Sequence, residues 1–305
     1  MPASTVLATG LEFPEGPIPL ANGDVLIVEI ARGTLSVVRP GGHVDVVADL
    51  GGGPNGAAIG PDGCVYICNN GGFIWDRSGP APQPIGTPPD YSTGSIQRVD
   101  LKTGRFETLY THCDGHPLKA PNDLVFDTHG GFWFTDTGKR FERHMDVGGI
   151  YYAKADGSFI SAQVFPTDAA NGIGLSPDHK TLYMAETMTG RLWQYPVVSP
   201  GVLEGPASFF DGSGVLYGAP GYDLFDSLAV EDSGNICVAA LSRGGIHIIT
   251  PSGEPQPFVA LDAPGTTNIA FGGPDRQDAY ITQGMMGTLV HMRWPRPGLA
   301  LPYAA

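Results

Sequence analysis

One pattern recurs six times along this chain and leaves few folds open to it. A polar residue leads a short apolar strand, a Gly/Asp turn follows, and a second apolar strand completes the unit. The leading residues are Glu15, Asn55, Asn122, Asn171, Asp226 and Asn268, separated by 40, 67, 49, 55 and 42 residues. Each second strand is followed by a third, opened by Gly33, Gly94, Gly149, Gly190, Gly245 or Gly287. A turn such as Pro40-Gly41-Gly42 or Ala155-Asp156-Gly157 then leads to a fourth. Repetition at forty-odd residues marks propellers and solenoids, and four short strands per repeat select the propeller. The chain is therefore expected to be all-β, a six-bladed β-propeller of four-stranded antiparallel blades forming a single domain over residues 1–305. The last repeat stops after its third strand near Trp294, while Thr5 to Thr9 precedes the first repeat unpaired. That N-terminal strand is expected to complete blade six, which closes the ring and removes an open sheet edge. No segment keeps a 3.6-residue apolar period for more than a turn or two, so helices are not expected.

Composition narrows the possible partners. Lys plus Arg number 17 against 31 Asp plus Glu, a net charge of 17 − 31 = −14. Nucleic-acid affinity rests on cations that displace phosphate counterions, so that class of partner is excluded. Gly (44) and Pro (28) are abundant, yet hydrophobic residues reach 42%, which indicates many turns around a core rather than disorder. The longest apolar run, near Val25 to Ile30, is broken by Glu29 and falls far short of the ~20 residues a membrane helix needs. The start, Met1-Pro2-Ala3-Ser4, has no basic residue or apolar stretch of signal-peptide length, so a cytoplasmic protein is expected. Cys64, Cys68, Cys113 and Cys237 are too sparse for a disulfide framework and are expected as buried thiols.

Propeller geometry sorts the loops. The connections entering each first strand share a face, the mouth, with those joining strands two and three. The longer connections fall there: Asn70 to Thr93, Thr137 to Gly148, and Asp211 to Leu224. Connections this long are commonly lids. The first carries Phe73, Trp75, Asp76, Arg77 and Tyr91 among five prolines, so residues 70–93 are expected to cover the mouth.

The six leading residues can each present an oxygen to the mouth of the axial channel. Asn55 and Asn268 are expected to serve turn chemistry. Glu15 and Asp226 would be costly to bury together without a cation, and they supply the two negative charges that a divalent ion matches. Asn122 and Asn171 add neutral carbonyl oxygens. The set is hard and all-oxygen, which favours Ca²⁺, Mg²⁺ or Mn²⁺, with Zn²⁺ left open.

With these residues in place the chain resembles the senescence marker protein, gluconolactonase and regucalcin family of six-bladed metal-dependent lactonases. The likeness is carried by Phe13-Pro14-Glu15-Gly16-Pro17, Pro121-Asn122-Asp123-Leu124, Phe134-Thr135-Asp136, Asn171-Gly172-Ile173-Gly174-Leu175-Ser176-Pro177-Asp178 and Asp226-Ser227-Leu228-Ala229-Val230. It implies Glu15, Asn171 and Asp226 as ligands of one divalent metal, Ca²⁺ first, and Asn122 as a contact of metal or substrate. Two positions depart from the family. Ala120 stands where some members have an Arg that grips sugar hydroxyls, and Ser227 stands where many have Gly.

The expected reaction is opening of a lactone ring, with a sugar lactone such as gluconolactone as substrate. Asp226 is the expected base as well as a ligand, Glu15 a ligand only, and Asn122 the group that orients the substrate. Asp136 and Glu186, at the ends of second strands, are candidate hydroxyl contacts. Phe73, Trp75 and Tyr91 on the insertion and His116 on the connection into blade three are further candidate substrate contacts. The alternatives are an aryl-lactone or organophosphate esterase on the same metal site, and a non-catalytic calcium-binding or scaffolding propeller. A serine nucleophile elbow and a P-loop are both absent from the sequence.

Overall fold

A computed structural model describes residues 4–205 and 211–304. Six sheets are arranged in a ring, each with its first strand innermost. The inner strands are Pro14–Pro19, Pro54–Ile59, Pro121–Phe126, Ala170–Leu175, Phe225–Val230 and Thr266–Gly272, and each lies beside the next around the axis. Every blade then runs outward through antiparallel neighbours; in blade three these are Gly131–Asp136, Gly148–Lys154 and Ile160–Thr167. Blade six takes its outermost strand from the N-terminus, where Ser4–Ala8 pairs antiparallel with Thr288–Arg293. The expected closure is thus observed, and it joins the two ends of the chain through backbone hydrogen bonds.

Apolar clusters fill the wedges between blades. Between blades three and four, Val125, Trp133, Ile150 and Tyr152 meet Ile173, Leu175, Leu182 and Met184. The strand pattern explains this packing: blades are covered on both faces, so their middle strands read as nearly continuous apolar runs. Val65–Asn69 and Ile236–Ala240 are buried at every position. All four cysteines are buried and free.

One irregularity repeats in every blade. The pairing of each inner strand with its neighbour shifts register near the leading residue: between Glu15 and Ile18, Pro54 and Ala57, Pro121 and Leu124, Ala170 and Ile173, Phe225 and Leu228, and Thr266 and Asn268. A bulge breaks the two-residue alternation of side chains and re-aims them. It also demands close backbone approach. A Cβ on Gly16, whose φ is +52°, would lie 2.8 Å from Ala57 N, and one on Gly172 would lie 2.7 Å from Leu228 N.

The connection expected over Asp211 to Leu224 is shorter at the mouth than its sequence suggests. Val215–Gly218 within it is the outer strand of blade four, pairing with Arg191–Ser199, so only the residues after Gly218 reach blade five as a loop.

Residues 70–93 form a short hairpin, Ile74–Asp76 paired with Gln83–Gly86. Its contacts reach three other blades. Trp75 packs on Phe13 at 5.5 Å, Arg77 Nη1 donates to Glu12 Oε2 at 3.0 Å, and Gln83 Nε2 donates to Met285 O at 3.2 Å. Thr87 Oγ1 donates to Arg140 O at 2.7 Å, and the Tyr91 hydroxyl donates to Lys119 O.

Candidate active site

Four of the leading residues meet next to the bulges: Glu15, Asn171, Asp226 and Asn268. Glu15 is 2% exposed; its Oε2 accepts from Gly16 N at 2.7 Å and from Asn268 Nδ2 at 2.8 Å. Asp226 is buried beside Glu15, with the Asn171 amide and the Ser227 backbone N–H as hydrogen-bonding neighbours. Asn171 Nδ2 donates to Thr187 Oγ1 at 3.1 Å. Thr135 Oγ1 ties the inner strands of blades three and four: it accepts from Asp123 N at 3.2 Å and donates to Asn171 O at 2.5 Å.

Asn268 therefore does more than the turn role expected of it. Its Oδ1 does accept from Ile269 N at 2.7 Å, but its amide nitrogen holds Glu15. Asn55 is buried, and its carbonyl lies against Gly16.

A third carboxylate joins this group. Asp123 is 7% exposed, and it faces both Glu15 and Asp226 electrostatically. Strict alternation would point Asn122 and Asp123 to opposite faces; the register shift between Pro121 and Leu124 suspends that rule, and Asp123 reaches Glu15 and Asp226. The clue in the sequence is the position after each leading residue. It is Gly16, Gly56, Asp123, Gly172, Ser227 and Ile269, so Asp123 and Ser227 are the polar exceptions. Ser227 is fully buried; its hydroxyl is 3.5 Å from Asn171 Oδ1 and also serves the Asp123 carboxylate.

Burial is the main influence on all three acids. It pushes Glu15 up to about 8, reinforced by the charge of Asp123 and opposed by the Asn268 and Gly16 donors. It pushes Asp123 up to about 7. Asp226 is held well above the ordinary carboxylate range by burial and then by Glu15. Among the described residues, no Lys or Arg is among the main influences on these three acids.

The residues fit a hard cation. Asn122 Oδ1 is buried without a hydrogen-bond partner, a costly state for a carbonyl oxygen unless something positive meets it. Among the described residues, no three His, Cys, Asp or Glu side chains form a metal-holding group by themselves. A cation would therefore draw on the amide oxygens of Asn122 and Asn171 as well as on the carboxylates, a donor set typical of Ca²⁺.

The structure gives two of the expected substrate contacts another occupation. Asp136, 1% exposed, accepts from Lys119 N and Ala120 N at 2.7 Å each and from Gly138 N at 2.9 Å, and so pins the loops at the mouth of blade three. Glu186 is buried and accepts from Asp168 N at 3.1 Å, Thr189 Oγ1 at 2.5 Å and Trp193 Nε1 at 3.1 Å. Both carboxylates are engaged by these donors, which a sequence alone does not reveal. His116 is exposed in a small hairpin where it pairs with Cys113, next to the outer strand of blade three. Phe73, Trp75 and Tyr91 lie on segment 70–93: Phe73 packs on Trp75 at 5.6 Å, and Trp75 on Phe13, two residues before Glu15.

Fold and site together define a class: a six-bladed propeller whose axis holds a buried cluster of three carboxylates and several amides. The chain belongs to the SMP-30/gluconolactonase/LRE-like family, whose sequence profile matches residues 13–284. Among relatives, it is 27% identical over 236 residues to the lactonase drp35 of Staphylococcus epidermidis, covering 77% of this chain and 65% of that protein. It therefore spans somewhat less than two thirds of that relative's length. It is 26% identical to a gluconolactonase of Zymomonas mobilis over 284 residues, 82% of this chain and 70% of the relative. The crystal structure of regucalcin, a calcium-binding protein from Agrobacterium tumefaciens, superposes with a TM-score of 0.74 over 98% of both chains, at 20% identity. That likeness establishes the shared fold. Among the described residues, no helix is long and apolar enough to cross a membrane.

Proposed function

We propose that this protein hydrolyses lactones at the axial cluster with the help of one divalent cation, Ca²⁺ being the ion the donor set suits best. The observation that carries the reading is the unpartnered, buried Asn122 Oδ1 at the head of an inner strand, next in the chain to Asp123, which is buried within electrostatic reach of Glu15 and Asp226. Family membership supports it, as do the names of the relatives: a lactonase in Staphylococcus epidermidis, a gluconolactonase in Zymomonas mobilis and a calcium-binding protein in Agrobacterium tumefaciens.

Glu15, Asn122, Asn171 and Asp226 would hold the ion, with Asn268 keeping the Glu15 carboxylate in place. The chemistry such an ion supplies when bound is polarisation of the ester carbonyl. The remaining work belongs to the chain. Asp226 takes a proton from the attacking water as its oxygen bonds to the carbonyl carbon. It then returns that proton to the ring oxygen as the acyl C–O bond breaks, leaving a hydroxy acid. Asn122 orients the carbonyl. Residues 70–93 cover the mouth and exclude bulk water, which strengthens every charge interaction beneath them.

A sugar lactone such as gluconolactone is the first substrate to test. A flatter aryl lactone is the second reading, favoured by the Phe13, Phe73 and Trp75 cluster at the mouth and by Ala120, buried where an Arg would meet hydroxyls. Acid release from gluconolactone and dihydrocoumarin, followed with a pH indicator before and after chelation, separates the two. Cation-dependent hydrolysis of either supports the proposal. Failure on a panel of γ- and δ-lactones in the presence of Ca²⁺ would leave a scaffolding propeller.

A further inference from the structure

Lys139 is 1% exposed, the one lysine among the largest fully buried side chains. It sits on the connection after the second strand of blade three, yet its ammonium is spent on another blade. Nζ donates to Gly72 O at 2.6 Å and lies 3.4 Å from Asn70 Oδ1, which itself accepts from Gly72 N at 2.8 Å. The same nitrogen stands 4.0 Å from the Phe73 ring centroid and 5.1 Å from that of Tyr91. Both ends of segment 70–93 thus close on one cation: Asn70, Gly72 and Phe73 at its start and Tyr91 at its finish.

We propose that Lys139 is a positioning residue, the latch that fastens the covering segment to blade three and sets substrate affinity through it. This rests on reading residues 70–93 as the cover of a lactone site. A charge-assisted hydrogen bond to a carbonyl and two aromatic faces are strong, directional partners for a single ammonium. They fix the base of the hairpin, while Arg77, Gln83 and Thr87 tether its far side to blades one, six and three. Lys139 touches none of the residues assigned to the ion, so its effect falls on the cover and not on the chemical step.

Arg77 is the single Lys or Arg in residues 70–93, and its side chain is 54% exposed, so tryptic cleavage at Arg77–Ser78 reports opening of the cover without any lactone. Lys139→Met keeps the length and the apolar stem but strands Gly72 O. It is expected to speed cleavage there about tenfold. It should raise KM for the hydrolysed lactone by a similar factor while kcat changes less than about threefold. Phe73→Leu, made from the other side of the contact, should move both readouts the same way. Cleavage of both variants at the wild-type rate overturns the latch, as does a loss confined to kcat. If the wild type opens no lactone, the functional reading falls, while the cleavage rates still decide the latch.

Discussion

Two buried acidic sites in this molecule are built on opposite plans. Glu231, at the turn of blade five on the face away from the mouth, is fully buried and surrounded by donors. Arg296 reaches it through Nε at 2.5 Å and Nη2 at 2.8 Å, Trp294 Nε1 at 2.7 Å and Asn235 Nδ2 at 2.9 Å. Burial raises its pKa, but the donors outweigh burial and hold Glu231 below the ordinary range. The axial acids have amides and backbone N–H groups as their main partners, no Lys or Arg among the described residues is a main influence on them, and all three are shifted upward. A charge that the fold neutralises with its own residues is a rivet, here fixing the chain after blade six beneath blade five. A cluster of acids that the fold buries against amides and backbone N–H groups is, on the proposed reading, the place where a cation from outside binds.

The contrast can be broken most forcefully at Asp226. Asp226→Asn keeps shape and removes the base, so lactone turnover should fall on the order of 10³-fold in a steady-state assay. Wild-type rates in that variant would remove the axial cluster from catalysis. Glu231→Ala should do the reverse. It strands Arg296 and the Trp294 indole and costs about 3 kcal/mol in urea unfolding. Turnover of the folded variant should stay within about twofold of wild type, since Glu231 lies outside the transition-state contacts.

pH sharpens the comparison because the two sites have opposite signs. Glu15, raised in the folded state to about 8, contributes stability that is complete below its unfolded value of 4.5 and lost as pH climbs through 8. Chelated protein should therefore melt at lower temperature at pH 8 than at pH 5, and added Ca²⁺ should raise the melting temperature most at pH 8. Glu231, depressed in the folded state, contributes stability above pH 4.5 that disappears as pH falls through its lower folded value. Glu231→Gln should remove that acid-side loss and leave the Ca²⁺ response intact. The smallest effect is expected at Ser227→Gly. Losing one hydroxyl between Asp123 and Asn171 is worth about 1 kcal/mol, and Ca²⁺ affinity read by calorimetry should change less than about tenfold.

Much of this was legible in the repeat. Glu15, Asn122, Asn171 and Asp226 occupy the same point in four blades, and the period of the pattern placed each at the head of an inner strand, where it is the second residue. Asp123 was not legible in that way, because a bulge at the head of each inner strand suspends the alternation on which the reading depends. Asp136 and Glu186 looked like free strand-end acids, since a sequence gives no view of the backbone N–H groups that loops turn toward them. Lys139 was equally hidden: its partners lie 67 to 69 residues away on the neighbouring blade.

The most direct test is a calorimetric titration of chelated protein with Ca²⁺, run on wild type, Glu231→Gln and Asp226→Asn side by side. One ion should bind to the first two with matching affinity, and binding to Asp226→Asn should be weakened by at least about 100-fold. A wild-type protein that takes up no ion, or an Asp226→Asn protein that binds it as tightly as wild type, would contradict the assignment of the axial cluster.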